Sequence, residues 1–422
     1  MKKKNIFLLL LCLTNAFTAA AQQIPYKTPP AVMNDFMAQR FGMFIHWGPV
    51  TLRGTEIGWS RGQQVPADEY DHLYTEFNPV LFNADNWVKA AKDAGMKYLT
   101  ITAKHHDGFC LWPTAYSDYN ISHSPFKRDV VGELAAACAR QGIRFCIYFT
   151  VLDWHDADYT GNTRVFVQRM KDELKELITR YHPYMLWFDG NWEAPWKEEY
   201  GTEVYNFIKR IDKNVVVNNR LGKGKHTELG KGAVGDYATP EQVVGALNMQ
   251  DPWESCITIC QQWAWKPNDK MKSLKECIQT LVKTAGGNGN LLFNVGPMLD
   301  GRMEQRQIDR LREMGRWLNQ YGESIYGTQG GPFVPDSIFA TTRKGSTLYV
   351  HVFGRPVQPL VLPPLGKLKV KRAAFLKGAP LAFSSNDNGT TLQLPATMPD
   401  SICSVIALEL SGNATTLPVM KK

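Results

Sequence analysis

The chain lacks several features that would each have fixed its class. Beyond the apolar stretch at residues 6–13 there is no long hydrophobic run, and none reaches the ~18 apolar residues that a membrane-spanning helix requires. Charge of one sign is scarce as well. Against 40 Asp and Glu stand 48 Lys and Arg, a net +8 dispersed over 422 residues, with no basic stripe of the kind that binds nucleic acid. Cysteine is sparse and unsuited to cross-linking. The seven cysteines beyond Cys12, at 110, 138, 146, 256, 260, 277 and 403, are odd in number and widely spaced. A disulfide scaffold is excluded on that pattern. So is a zinc module, since no second Cys/His pair accompanies Cys256 and Cys260, which read as core thiols on a strand. Repeats and low-complexity segments are also missing, and a hydrophobic fraction of 44% excludes intrinsic disorder.

Aromatic residues, in contrast, are plentiful: 12 Trp, 16 Tyr and 20 Phe. Such a supply suits a large core. It equally suits carbohydrate binding, in which flat rings stack on the apolar faces of sugars. The N-terminus carries a separate message. Lys2, Lys3 and Lys4 precede the apolar stretch, and Ala19-Ala20-Ala21 supplies a small-residue cleavage site before Gln22. Residues 1–21 therefore read as a secretory signal peptide, and the mature protein is expected to be periplasmic or secreted, without membrane insertion. Cys12 lacks the setting of a lipoprotein signal, so no lipid anchor is expected. Removing the three lysines lowers the formal charge to +5.

From about residue 40 to 320, short apolar strands alternate with amphipathic helices. The pattern predicts strands over 41–47, 98–103, 144–150, 185–188, 215–218, 233–237, 256–260 and 291–295. Helices are predicted over 83–94, 131–141, 165–181, 204–211, 273–285 and 304–321. This alternation points to an α/β fold, a (β/α)8 TIM-like barrel over 22–330. After Tyr326 the texture changes to short alternating strands over 347–353, 360–362, 369–376, 391–394 and 402–409, separated by Gly, Pro and Asn turns. That is the habit of a C-terminal antiparallel β-sandwich, placed at 331–422.

A parallel barrel gathers its chemistry where the strands end. Here those ends carry His46-Trp47-Gly48, Lys104 to Phe109 with His105-His106, Tyr148 followed by Asp153-Trp154-His155, Trp187-Phe188-Asp189-Gly190, Asn218-Asn219-Arg220 and Asp236-Tyr237 with Glu241 shortly after. Each has an ordinary structural reading: His46 as a strand cap, Asp189 as an N-cap for the next helix, Glu241 as a first-turn carboxylate. As adjacent residues of a strand, His105 and His106 are expected to point to opposite faces, and no third ligand follows, so hydrogen bonding to a polar ligand suits them better than metal. Asp189 after Met-Leu-Trp-Phe is the least easily explained away, because an unpaired carboxylate at the mouth of a buried strand is costly. Two carboxyl groups among histidines and aromatics fit sugar cleavage, in which a retaining glycosidase uses one as nucleophile and the other as proton donor and then base.

These residues resemble the alpha-L-fucosidases of glycoside hydrolase family 29. The stretches Arg40 to Gly48, Lys104 to Phe109, Leu186 to Asp189, Gly235 to Glu241 and Gly286 to Pro297 carry the resemblance, in order, from about residue 24 to 330. It implies a retaining exo-fucosidase acting on a fucosylated oligosaccharide or glycoconjugate, with no cofactor and no metal. By position, Asp189 falls on the family's nucleophile and His46, His105 and His106 on residues that bind fucose hydroxyls; Tyr148, Trp187 and Arg220 match other substrate-site positions. Glu241 matches the acid/base, with Glu254 in Pro-Trp-Glu-Ser the runner-up. The loop 55–62 departs from the Glu-Trp-Tyr pattern of many members, which leaves Glu56 and Trp59 as possible site residues only. Two other readings remain open: a catalytically silent fucose-binding barrel, and a glycosidase for a related sugar such as galactose.

Overall fold

A computed structural model describes residues 27–356 and 359–420; the expected signal peptide lies outside them. Seven strands form one parallel sheet: β1 (Phe41–Ile45), β2 (Tyr98–Lys104), β3 (Arg144–Thr150), β4 (Met185–Asp189), β5 (Val216–Val217), β6 (Glu254–Thr258) and β7 (Asn290–Val295). Their order is β5-β4-β3-β2-β1-β7-β6, so the last strand, β7, pairs with the first, β1, while β5 and β6 remain open edges. The helices are α1 (Pro30–Gln39), α2 (Ala67–His72), α3 (Ala84–Asp93), α4 (Val130–Gln141), α5 (Ala157–Gly161), α6 (Thr163–Tyr181), α7 (Glu198–Ile211), α8 (Leu274–Gly286) and α9 (Gln305–Tyr321). Local chemistry starts several of them. Asn83 and Asp129 accept backbone N–H groups at the starts of α3 and α4, and Ser273 with Glu276 forms a capping box on α8.

Alternation along the strands separates two cores. Phe44, Tyr98, Tyr148, Met185, Trp187, Cys256 and Leu292 pack together on the inner face, plugged at the bottom by Phe36 of α1. Their neighbours in sequence, such as Met43, Ile45, Ile101, Phe149, Phe188 and Phe293, pack outward against Trp87, Leu134, Leu177 and Leu281 of the helices. Both faces are therefore apolar, as expected of a parallel sheet covered by helices. The period of two also decides which residues reach the site: Met185, Trp187 and Asp189 share the inner column of β4.

The expected strand over 233–237 is absent. Residues 234–241 instead touch both sheet edges through isolated bridges: Arg220 with Val234 and Asn218 with Tyr237 on one side, Ala238 with Trp253 and Glu241 with Cys256 on the other. Asp236 explains much of this. Its carboxylate accepts from Thr28 Oγ1 (2.7 Å), Tyr205 Oη (2.6 Å), Lys209 Nζ (3.0 Å) and the Val217 amide (2.8 Å). Four donors on one side chain fix the segment against β5 and α7, where a regular ladder would otherwise have been needed. Asn218 does similar work, since its side-chain amide exchanges both hydrogen bonds with the Phe188 backbone, each at 2.8 Å.

The remainder of the chain is antiparallel. Strands β8 (Gln329–Gly330), β9 (Phe339–Lys344), β10 (Thr347–Phe353), β11 (Leu360–Leu362), β12 (Val370–Phe375), β13 (Phe383–Asn386), β14 (Gly389–Leu392) and β15 (Cys403–Leu410) form a five-stranded sheet, β12-β15-β10-β9-β8, and a three-stranded one, β11-β14-β13. The two share a core that includes Leu348, Val350, Leu362, Leu392 and Ile406. Among the described residues all seven cysteines are free and buried, and no helix is long and apolar enough to cross a membrane.

Candidate active site

At the C-terminal ends of the parallel strands lies a small cavity lined by Phe44, His46, Trp59, His105, His106, Tyr148, Trp187, Asp189, Trp192, Glu241, Cys256 and Trp263. Arg220 stands at its wall. Its Nη1 donates to Asp189 Oδ1 at 2.7 Å and its Nη2 to Glu241 Oε2 at 2.9 Å, so one guanidinium holds both carboxylates. The guanidinium is itself fixed. Nε donates to Thr239 Oγ1 (2.9 Å), Nη2 to Thr239 O (3.1 Å), and the planar group lies 4.6 Å from the Trp187 ring centroid.

Asp189 closes β4 and is not a helix cap, since the next helix starts at Glu198. Tyr148 Oη donates to its Oδ2 at 3.2 Å, and His106 Nε2 stands 3.6 Å from the same oxygen. Burial alone would push its carboxyl up; the Arg220 charge, with His106 beside it, outweighs burial and holds it well below the usual carboxylate range. The sharp turn that follows needs glycine. Gly190 has φ +94°, and a Cβ there would fall 2.4 Å from that of Leu152. Glu241 lies outside any helix and is the more open carboxylate, with 41% of its side chain exposed against 13% for Asp189.

The histidines are prepared as hydrogen-bonding groups. His46 Nδ1 meets Asn294 Oδ1 at 2.7 Å, while the Asn294 amide nitrogen donates to Trp263 O at 2.8 Å. Asn294 Oδ1 is thus an acceptor, His46 Nδ1 carries the proton, and Nε2 is left with its lone pair. Burial lowers the His46 pKa to about 3, which keeps the ring neutral. Burial likewise lowers that of His105 well below the ordinary value, with His106 and His46 adding to the effect. For His106 the partner is Thr150, whose hydroxyl donates to Leu152 O (2.6 Å) and therefore accepts from His106 Nδ1 at 2.8 Å. Aromatic contacts lock the set: His105 stacks on Tyr148 at 5.3 Å, Tyr148 on Trp187 at 5.6 Å, and His46 lies 4.8 Å from Trp263.

All eight expected site residues, Asp189, Glu241, His46, His105, His106, Tyr148, Trp187 and Arg220, thus gather around one cavity. Glu254 does not. It begins β6, at the opposite end of the sheet from Asp189, and is completely buried beneath Trp187. Its carboxylate accepts from Tyr98 Oη (2.5 Å), Trp187 Nε1 (3.1 Å) and Tyr237 Oη (3.4 Å), and burial pushes its pKa up to about 7. Asp236 also belongs to the scaffold. Glu56 accepts the amides of Trp263 (2.8 Å) and Ala264 (2.9 Å), fastening the Trp263 loop to the loop after β1 without lining the cavity. Trp59 does line it. Sequence reasoning missed Trp192, three residues past Asp189, and Asn294, which sets the His46 tautomer. Among the described residues, no group of three or more His, Cys, Asp or Glu is placed to hold a metal ion.

Comparison with known proteins gives consistent matches. The family model described as alpha-L-fucosidase matches residues 14–323. The human plasma alpha-L-fucosidase is 31% identical over 406 residues, covering 85% of each chain. Among solved structures, alpha-L-fucosidase isoenzyme 1 from Paenibacillus thiaminolyticus superposes with a TM-score of 0.82 at 32% identity, over 90% of this chain and 99% of its own. A family 29 alpha-L-fucosidase from Bacteroides thetaiotaomicron, trapped as a covalent intermediate with 2-fluoro-fucosyl fluoride, superposes with a TM-score of 0.84 at 29% identity, over 92% and 98% of the two chains.

Proposed function

This chain belongs to the alpha-L-fucosidase family, and from that premise and the geometry of the cavity we infer a retaining exo-alpha-L-fucosidase that removes terminal alpha-L-fucose from oligosaccharides or glycoconjugates. The observation that carries the reading is the shared guanidinium: Arg220 sets an ionised, largely enclosed Asp189 beside a more open Glu241. Retention requires two carboxyl groups on one site ~5–5.5 Å apart, and a common clamp on adjacent nitrogens supports that spacing.

In this mechanism Asp189 attacks the anomeric carbon of fucose as the glycosidic C–O bond breaks. Glu241, entering protonated, gives its proton to the departing oxygen. The glycosyl–Asp189 ester is then opened by water, whose proton returns to Glu241, and fucose leaves with its alpha configuration. The exposure of Glu241 leaves room for that water. His46 accepts from a fucose hydroxyl through Nε2, His105 and His106 bind further hydroxyls, and Trp263 with Trp187 offers an apolar wall to the C5 methyl group. Segment 234–241 takes the place of the eighth barrel strand, so the parallel part functions as a (β/α)8-type barrel, with the antiparallel strands from β8 onward as a β-sandwich packed against it. Residues 1–21 direct export to the periplasm or medium. The anomer of the first fucose formed tests the reading: NMR should show alpha-L-fucose before mutarotation, and beta-L-fucose first would exclude the double displacement. Absence of turnover would favour a silent fucose-binding protein.

A further inference from the structure

Two indoles at the mouth of the cavity are not used by the mechanism. Among the described residues, the exposed large apolar side chains include just two tryptophans, Trp59 at 49% and Trp192 at 44%, and both line the cavity that holds Asp189. They stand together, with ring centroids 6.1 Å apart and planes within 17°. Neither is a loose surface side chain. The turn that presents Trp192 is braced by the loop after β5: Lys223 Nζ donates to Asn191 O (2.6 Å) and Glu193 O (2.9 Å). The Asn191 amide nitrogen donates to Gly222 O, so its Oδ1 accepts from His226 Nε2 at 2.8 Å. On the other side, the Gly58 amide donates to Tyr70 Oη (2.8 Å), and Trp59 packs edge-on against Trp154 at 5.1 Å. Trp154 Nε1 in turn donates to Glu193 Oε1 at 3.1 Å, linking the two turns. Flat apolar surface held rigid in water, beside a polar cavity, is the form of a preorganised binding platform.

With the anomeric carbon of fucose at Asp189 and the proton donor at the more exposed Glu241, the group bonded to the anomeric oxygen faces the mouth of the cavity. A pyranose ring presents an apolar face of C–H groups that matches an indole, whereas a flexible alcohol does not. We propose that Trp192, with Trp59 beside it, forms a leaving-group subsite that stacks a pyranose, a hexose or N-acetylhexosamine, making the enzyme selective for fucose attached to a sugar. The proposal rests on the fucosidase reading above. Its test compares kcat/KM for an alpha-L-fucosyl-galactose disaccharide with that for alpha-L-fucosyl fluoride, whose leaving group has no ring, in the wild type, Trp192→Ala and Trp192→Phe. The disaccharide-to-fluoride ratio should fall about tenfold in Trp192→Ala, equivalent to ~1.4 kcal/mol, and by less in Trp192→Phe. Fluoride turnover in either variant also reports that it is folded. A parallel fall in both substrates, leaving the ratio unchanged in the variants, would overturn the subsite while the activity stands. If the wild type turned over neither substrate, the fucosidase reading itself would fail.

Discussion

Asp189 and Arg220 form the pair on which the chemistry turns. Replacing Asp189 by Ala removes the nucleophile and should leave below about one percent of wild-type kcat, since the covalent step has no substitute. Fucose binding, measured by calorimetry, should persist. Arg220→Met tests the electrostatics. Burial disfavours an ionised Asp189 and the Arg220 charge opposes it, so in the wild type the carboxyl is held below its ordinary value of 3.8 and stays ionised through neutral pH. The acid limb of kcat/KM in the wild type should therefore not report Asp189. Without the guanidinium only His106 is left to oppose burial: kcat should fall about 100-fold or more and the acid limb should move to higher pH. An unshifted limb would mean that Arg220 does not set the charge of Asp189.

At the scale of elements, the irregular segment over 234–241 carries Glu241 to the cavity, and its anchorage depends on Asp236. Asp236→Ala would strand Lys209, whose side chain is completely buried, and should cost about 3–5 kcal/mol in denaturant unfolding, with a fall in kcat as Glu241 loses its support. The same segment shows where the sequence stops being legible. Strands β1 to β4 and β7 are apolar runs bounded by turn residues, and the expected spans agree with them to within a few residues. The run at 233–237 looked similar, yet its hydrogen bonds go to side chains and isolated bridges, and long-range partners such as Thr28 and Lys209 leave no periodic trace. Short β5 was overestimated for a related reason, because the Asn218 side chain replaces its ladder. Glu241 stands ahead of Glu254 in the sequence by resemblance alone. Only the direction of β6 decides between them, placing Glu254 at the closed end. Trp192 escaped notice because an exposed indole and a core indole look alike until burial is known.

At the scale of the whole molecule, the interior beneath the site holds a carboxyl group that the reaction does not use. Burial raises Glu254 from its ordinary 4.5 to about 7, so the folded protein binds its proton more tightly than the unfolded chain does. Its contribution to stability is complete below about pH 4.5 and declines as pH rises towards 7. Buried His46 and His105 act in the opposite sense, gaining as pH rises to 6.5. The difference between wild type and Glu254→Gln isolates the first effect: relative to the variant, the wild type should lose stability between pH 4.5 and 7, and a constant difference would contradict it. The most direct test of the central claim is covalent trapping. After incubation with 2-fluoro-fucosyl fluoride, intact-mass spectrometry should show one added 2-fluorofucosyl group, and peptide mapping should place it on Asp189. A label on any other residue, or turnover that yields no trapped ester, would contradict Asp189 as the nucleophile of a retaining fucosidase.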